Sequence, residues 1–338
     1  MKAFVIQQPG KSAIEDVAEA SPGPDDVLLQ TRMVGFCGTD LNTFRGKNPL
    51  VSYPRIPGHE IAATIVSAGP NVPAHLRPGL NVTVSPLNSC GVCAACLRGR
   101  MNACMRNETL GVQRDGAMKE FFTAPWEKVF VAEGLSLREL SMVEPLAVGF
   151  HSVNRARVQQ SDRVAVIGCG TVGLGAIAAA ARLGAEVTAI DLDDHKLDLA
   201  KQAGAHHAVH SGKENLHDAL QRITHGHGPD VVIEAVGSAD TFRAAVEEVA
   251  YTGRVVYIGW AKEPITYETK LFILKELDIM GSRNSLTEFP QVIEMLQNKT
   301  FPVEATISLT VPLSGASNAL ESWSNSPQSY SKILVEMA

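Results

Sequence analysis

The sequence predicts an α/β protein in two parts: a β-rich, barrel-like part over residues 1–150 and a doubly wound, parallel-sheet part over 151–285. Three observations carry this. Short β-rich runs in the first part are punctuated by Gly and Pro. From Ser161 onward, strand-like and helix-like runs alternate. At the first strand-to-helix junction stands "GCGTVG", a glycine pattern with the spacing of a dinucleotide-binding turn.

Taken in order, "KAFVI", "DVLLQTRMV" and "IAATIVSAG" are strand candidates. The turn-rich "SPGPDDV", "YPRIPGHE" and "VSAGPNVPAHLRPGLNV" separate them, as in an irregular barrel. "DRVAVIGCG" then reads as a buried strand, followed by a helix through Leu183. "AEVTAIDL" is a second strand, and "DDHKLDLAKQAG" an amphipathic helix ended by Gly204. "DVVIEAVG" and "RVVYIGW" are further strands around the helical "SADTFRAAVEEVAYTG". The alternation fades after "LDIMGSRN". A helix, "LTEFPQVIEMLQNK", and short mixed elements follow.

The 338 residues are 45% hydrophobic and 20% charged, with a net charge of -6. No basic footprint for nucleic acid is present, and no polybasic segment for anionic lipid. "MKAFVIQQPG" lacks the apolar stretch of a signal peptide. The most apolar run, residues 173–187, is broken by Arg182 and too short to span a bilayer. A cytoplasmic protein with no membrane or nucleic-acid partner is expected. In that compartment clustered cysteines suit metal binding or catalysis better than disulfides.

In "VAVIGCGTVGLG", Gly168 permits a tight turn and Gly170 lets the backbone approach a pyrophosphate. Gly173 lets helix and strand pack closely, and the helix start, with Val172, offers N–H groups to the anion. Asp191 ends the next strand, where a carboxylate accepts from ribose hydroxyls and repels a 2′-phosphate. NAD is therefore expected over NADP. Cys169, inside the loop, reads as a small buried side chain.

"GFCGTDL" and "PGHEIAA" supply a thiolate, Cys37, and an imidazole, His59. Glu60 follows His59, and "MVEPLAV" adds Glu144. A catalytic zinc takes three such mixed ligands and keeps one open position. Cys37 and His59 are the firm pair; the third ligand is Glu60 or Glu144. Such an ion acidifies an alcohol, which can then release a hydride to a nicotinamide. Thr39 is placed to carry the proton away, and Asp40 to orient the imidazole.

"SCGVCAACLRGRMNAC" holds Cys90, Cys93, Cys96 and Cys104, four of the six cysteines. A redox C-x-x-C pair needs two thiols at a helix start. Four thiolates in a loop-like segment with Gly91 and Gly99 close a tetrahedral site without a vacancy, which makes it structural. A nucleic-acid zinc ribbon is disfavoured by the acidic charge balance.

Together these motifs, with "EPLAV" and "MGSRN", resemble the zinc-dependent medium-chain dehydrogenases over essentially the whole chain. The likeness is strongest to their polyol, threonine and sugar-acid branch. The resemblance implies a GroES-like barrel completed by 286–338, with a Rossmann NAD-binding domain inserted at 151–285. It implies two zinc ions per chain, one catalytic and one structural, and a homodimer or homotetramer. In sorbitol-dehydrogenase relatives the counterpart of Glu60 is a ligand, while that of Glu144 holds the zinc-bound water or exchanges with it. Thr39 matches the proton-relay hydroxyl, Asp191 and Lys196 the ribose contacts, and Arg283 a residue near nicotinamide and substrate. Thr43 replaces an aromatic residue of the sorbitol enzymes, so their contact there is not carried over; Thr43 and the adjacent Phe44 are the pocket candidates. The reaction implied is hydride transfer from a secondary alcohol of a hexonate or polyol to NAD. Alternatives are an NADP-dependent reductase, a threonine-type enzyme and a non-catalytic relative. A Rossmann methyltransferase leaves Cys37, His59 and Glu60 unexplained.

Overall fold

In the computed structural model, which describes residues 1–261 and 263–337, the chain forms two compact units. The first comprises Met1–Glu144, Phe289–Asn298 and Val303–Ala338; the second comprises Pro145–Glu288 and Lys299–Pro302.

The first unit is organised around the strand Asp26–Phe36. Its sequence alternates, and so does its burial: Val27, Leu29, Thr31 and Met33 face inward, while Leu28, Gln30 and Arg32 do not. Glu60–Ala68 pairs with it antiparallel on one side and Ile333–Glu336 on the other. Asn81–Val84, Val129–Val131, Phe121–Pro125 and Leu309–Pro312 extend this sheet. Phe4, Ile6, Leu29, Phe36, Ile61 and Phe122 fill the core, with Phe4 and Phe36 in edge contact at 5.8 Å. The final strand thus returns to the sheet built around Asp26–Phe36.

The second unit holds six parallel strands in the order His207–His210, Glu186–Asp191, Arg163–Ile167, Val231–Glu234, Arg254–Tyr257 and Asp278–Gly281. In chain order this is 3-2-1-4-5-6, the doubly wound arrangement. Val164–Val166 and Val231–Ile233 are buried without alternation, as strands covered on both faces require. Helices Thr171–Arg182, Asp194–Gln202, Leu216–Ile223 and Ala239–Glu248 lie between the strands in sequence. Asp193 caps the second of these by accepting from the N–H groups of His195 and Lys196. Gly204 lies past that helix's end, in the left-handed region at φ 110°.

The helical segments expected at 238–253 and 286–299 form shorter helices, Ala239–Glu248 and Phe289–Gln297. "MVEPLAV", read only as an edge motif, lies inside the 20-residue helix Leu137–Ala156 despite Pro145. Among the described residues no helix is long and apolar enough to cross a membrane.

Candidate metal centre and nucleotide loop

Cys37 follows the last residue of Asp26–Phe36 and starts the helix Gly38–Phe44. His59 immediately precedes the strand Glu60–Ala68. The two strands run antiparallel with Gly35 opposite Glu60. That register brings the end of one strand to the start of the other. Ligand atoms of Cys37, His59 and Glu60 consequently lie within 4.8 Å of one another. Glu144, on the helix Leu137–Ala156, is buried but outside this group.

Asp40 sits fully buried in the first helical turn and accepts from the Cys37 N–H at 2.9 Å. Its second oxygen, Oδ1, lies 3.9 Å from His59 Nδ1, beyond hydrogen-bond reach. Both atoms are buried without a hydrogen-bond partner among the described residues. Thr39 Oγ1 lies 3.6 Å from Cys37 Sγ, and both residues are half-exposed. The site is therefore open on the side of the thiol and the hydroxyl, and closed behind the imidazole. A sulfur, nitrogen and oxygen donor set, with orphaned polar atoms directly behind it, fits a zinc ion.

Charges in this site are tightly linked. Burial alone would lower the His59 pKa, but the neighbouring Asp40 and Cys37 raise it well above the ordinary value. Burial raises Asp40, against the pull of His59. Burial also pushes Glu144 up to about 7, partly offset by His59. Glu60 is raised by burial and pulled back by Lys332. The Lys332 ammonium is buried and donates to both Glu60 oxygens, at 2.7 and 2.6 Å. Sequence reasoning missed Lys332. Its only local signal is a lysine at the start of the apolar run "ILV", too weak to point to a glutamate 272 residues away.

The four clustered thiols also converge, with ligand atoms within 4.8 Å of one another. Sulfur separations of 3.5 Å for Cys93–Cys96 and Cys90–Cys104 and 3.8 Å for Cys93–Cys104 are far longer than a disulfide bond. Backbone N–H groups of Cys90 and Arg106 each point to Cys104 Sγ at 3.3 Å. Bonds from the N–H groups of Cys96 and Met105 bring the Cys93 thiol down to about 6, and burial pushes Cys96 up to about 11. The segment is less loop-like than its glycines suggest, since Ala94–Leu97 and Met101–Ala103 form short helical turns.

In the nucleotide loop, Gly168 has φ 97°, and a Cβ there would lie 2.6 Å from Val236 Cγ2. A Cβ on Gly173 would lie 1.8 Å from the Gly168 carbonyl oxygen, so helix and strand meet only over glycine. Gly170 begins the helix Thr171–Arg182 and has open space around it. Val172 is half-exposed in the first turn. Asp191 ends its strand and accepts from Cys169 N at 2.7 Å, Leu192 N at 2.7 Å and Asp193 N at 3.1 Å. It braces the loop, and its carboxylate keeps acceptor capacity beyond those bonds. Lys196 is half-buried on the next helix, and Arg283 is exposed just past the last parallel strand. Thr43 is fully buried, its hydroxyl donating to the Thr39 carbonyl at 2.9 Å and accepting from Asn48 at 3.0 Å. Phe44 packs in the apolar core. Neither of these two belongs to the metal cluster.

The alcohol dehydrogenase GroES-like domain model matches residues 23–133, and the zinc-binding dehydrogenase model matches 171–298. An uncharacterized zinc-type alcohol dehydrogenase-like protein of Haemophilus influenzae is 32% identical over 98% of both chains. L-galactonate-5-dehydrogenase of Escherichia coli K12 is 32% identical over 85% of this chain and 84% of its own. The solved structure of RspB, an alcohol dehydrogenase of E. coli CFT073 in complex with NADH, superposes with a TM-score of 0.91 at 27% identity, covering 99% of each chain. The chain belongs to the zinc-type alcohol dehydrogenase family, with a GroES-like and a Rossmann domain, and is an oxidoreductase of that type.

Proposed function

We propose that this protein oxidises a secondary alcohol of a sugar acid or polyol with NAD as hydride acceptor. The observation that carries the reading is the joining of Cys37, His59 and Glu60 into one mixed donor set, backed by Asp40. Cys37 and His59 hold the catalytic zinc, with Glu60 as third ligand and Glu144 beside it. Zinc bound there supplies the Lewis acidity that lowers the pKa of an alcohol. Asp40 stands behind His59, where its carboxylate orients the imidazole and raises its basicity as a ligand. Thr39 takes the alcohol proton toward the open side of the site. Glu144, with its pKa raised to about 7 by burial, can hold or release a proton near neutrality. Cys90, Cys93, Cys96 and Cys104 hold a second, structural zinc.

The cofactor is bound by the N–H groups following Gly168, Gly170, Val172 and Gly173. Asp191 and Lys196 hold the ribose, and Arg283 stands near the nicotinamide. A carboxylate at 191 supports NAD over NADP. The substrate class is supported by the resemblance carried by "PGHE" and "MGSRN" and by the likeness to L-galactonate-5-dehydrogenase. Phe44 and Thr43, both buried, shape the helix that carries Thr39. The protein works in a reducing cytoplasm, in keeping with six free thiols. It assembles as a homodimer or homotetramer. The outer strand Asp278–Gly281 has one neighbour in its sheet, and Ile279 on it is exposed, as are Ile273 and Leu274 on the preceding helix. Such an edge invites a second copy.

The test is a panel of polyols and aldonates offered with NAD or NADP, followed by absorbance of the reduced nicotinamide. Turnover of a secondary alcohol with NAD supports the reading. No turnover of any secondary alcohol with bound zinc would overturn it.

A further inference from the structure

Lys332 stands directly before the strand Ile333–Glu336, whose Ile333 faces Phe36 on the central strand. Glu60 begins the strand on the opposite side and faces Gly35. The two charged residues therefore flank the same end of Asp26–Phe36. A side chain at position 35 would separate them. A Cβ there would lie 2.0 Å from Glu60 Oε2 and 3.1 Å from both Cβ and Cδ. Over the bare glycine, the carboxylate reaches Lys332 with both oxygens, and the ammonium donates besides to the Phe36 carbonyl at 3.2 Å. Glu60 is 1% exposed and Lys332 5%, so the pair is out of water. Burying two charges carries a large desolvation cost, and apolar residues fill such places without it.

Resting on the metal reading above, we propose that Lys332 is a positioning residue that competes with the metal for Glu60. Both Glu60 oxygens already face the ammonium, and the same residue offers an oxygen within 4.8 Å of the Cys37 and His59 ligand atoms. A metal held by Cys37 and His59 gains Glu60 only by sharing its carboxylate with Lys332. A shared carboxylate is a weaker ligand and is displaced more readily. The third position thus stays open to exchange with the oxygen of an incoming alcohol. Gly35 provides the room in which the carboxylate moves between its two partners. No covalent bond forms or breaks; the step is an exchange of ligands.

Cobalt(II) in place of zinc supplies the readout, because its absorption bands report ligand number and type. The bands of this centre are those lost in Cys37→Ser. Lys332→Met is expected to shift them and to slow metal release to a chelator by about tenfold, the scale on which partners of a metal ligand alter affinity, here with the sign reversed because a competitor is removed. Lys332→Arg is expected to keep both near the parent. In a Glu60→Gln background, Lys332→Met is expected to change neither. If Lys332→Met does not fold, Lys332→Gln, which keeps a donor without charge, takes its place in the same measurement. Unchanged bands and release in the folded variant, with only a lower melting temperature, would overturn the proposal. So would an equal slowing in the Glu60→Gln background. A parent cobalt protein with no band sensitive to Cys37→Ser would instead overturn the metal reading itself.

Discussion

Oδ1 of Asp40 lies 3.9 Å from Nδ1 of His59, and neither atom has a hydrogen-bond partner among the described residues. The carboxylate's other oxygen is fixed by the Cys37 N–H. One residue thus holds the Cys37 backbone and stands behind the His59 imidazole, beside two of the proposed metal ligands. Asp40→Asn keeps an acceptor for the Cys37 N–H and removes the charge behind His59. Zinc content after dialysis against a chelator is expected to show a 10- to 100-fold weaker site, roughly the effect of losing such a supporting carboxylate. Zinc retention equal to the parent would show that Asp40 serves the helix start alone.

The two candidate metal sites predict opposite phenotypes. Cys93→Ser removes one of four converging thiols from a closed site. It is expected to lower the melting temperature or impair assembly, because a structural metal contributes folding free energy. Differential scanning fluorimetry and zinc counting check this. A fully stable variant that loses only its chemistry would move the catalysis to that lobe.

Asp191 accepts hydrogen bonds from the loop and the turn around it. Removing the carboxylate removes the repulsion toward a 2′-phosphate. Asp191→Ala is expected to shift the ratio of kcat/KM for NAD and NADP toward NADP. Its loss of the Cys169 N–H bond should raise KM for both cofactors. Unchanged selectivity would detach Asp191 from the ribose.

Glu288 links the turn before Phe289 to the helix Leu137–Ala156. It accepts from Leu286 N at 2.6 Å, Thr287 N at 2.9 Å and Asn154 at 3.0 Å, and pairs with His151 Nδ1 at 2.8 Å. Burial alone would raise its pKa, but the bonds from His151 and Leu286 bring it down to about 2. An unfolded glutamate titrates near ~4.3. The stabilisation is therefore complete above that value and is lost as the pH falls from about 5 toward 2. Glu288→Gln is expected to cost on the order of 2 kcal/mol in urea unfolding at neutral pH. The gap to the parent should narrow at pH 3. A gap independent of pH would refute the account.

Much of this architecture is written locally in the chain. "RVAVI", "EVTAID" and "VVIE" are apolar runs of strand length between helix signals, and they form the heart of the parallel sheet. Gly168, Gly170 and Gly173 fall at the strand-to-helix turn because no other residue fits two of those positions. Which of Glu60 and Glu144 stands beside Cys37 and His59 was not legible, since it depends on strand register: the pairing of Gly35 with Glu60 brings that carboxylate into the cluster. Lys332 was illegible for the same reason, as its partner comes from the other side of a strand near the opposite end of the chain. The short helical turns among the clustered cysteines were hidden by Gly91 and Gly99, which stand in left-handed conformations before and after the turn Ala94–Leu97 rather than preventing it.

The most direct test of the catalytic centre compares the parent with Cys37→Ser for zinc per chain and for NAD reduction with a secondary alcohol. The parent is expected to hold two zinc ions and turn over. The variant is expected to hold one, to keep its fold by circular dichroism, and to lose turnover. A Cys37→Ser protein that keeps both its second zinc and its activity would contradict the assignment of Cys37, His59 and Glu60 as the catalytic metal site.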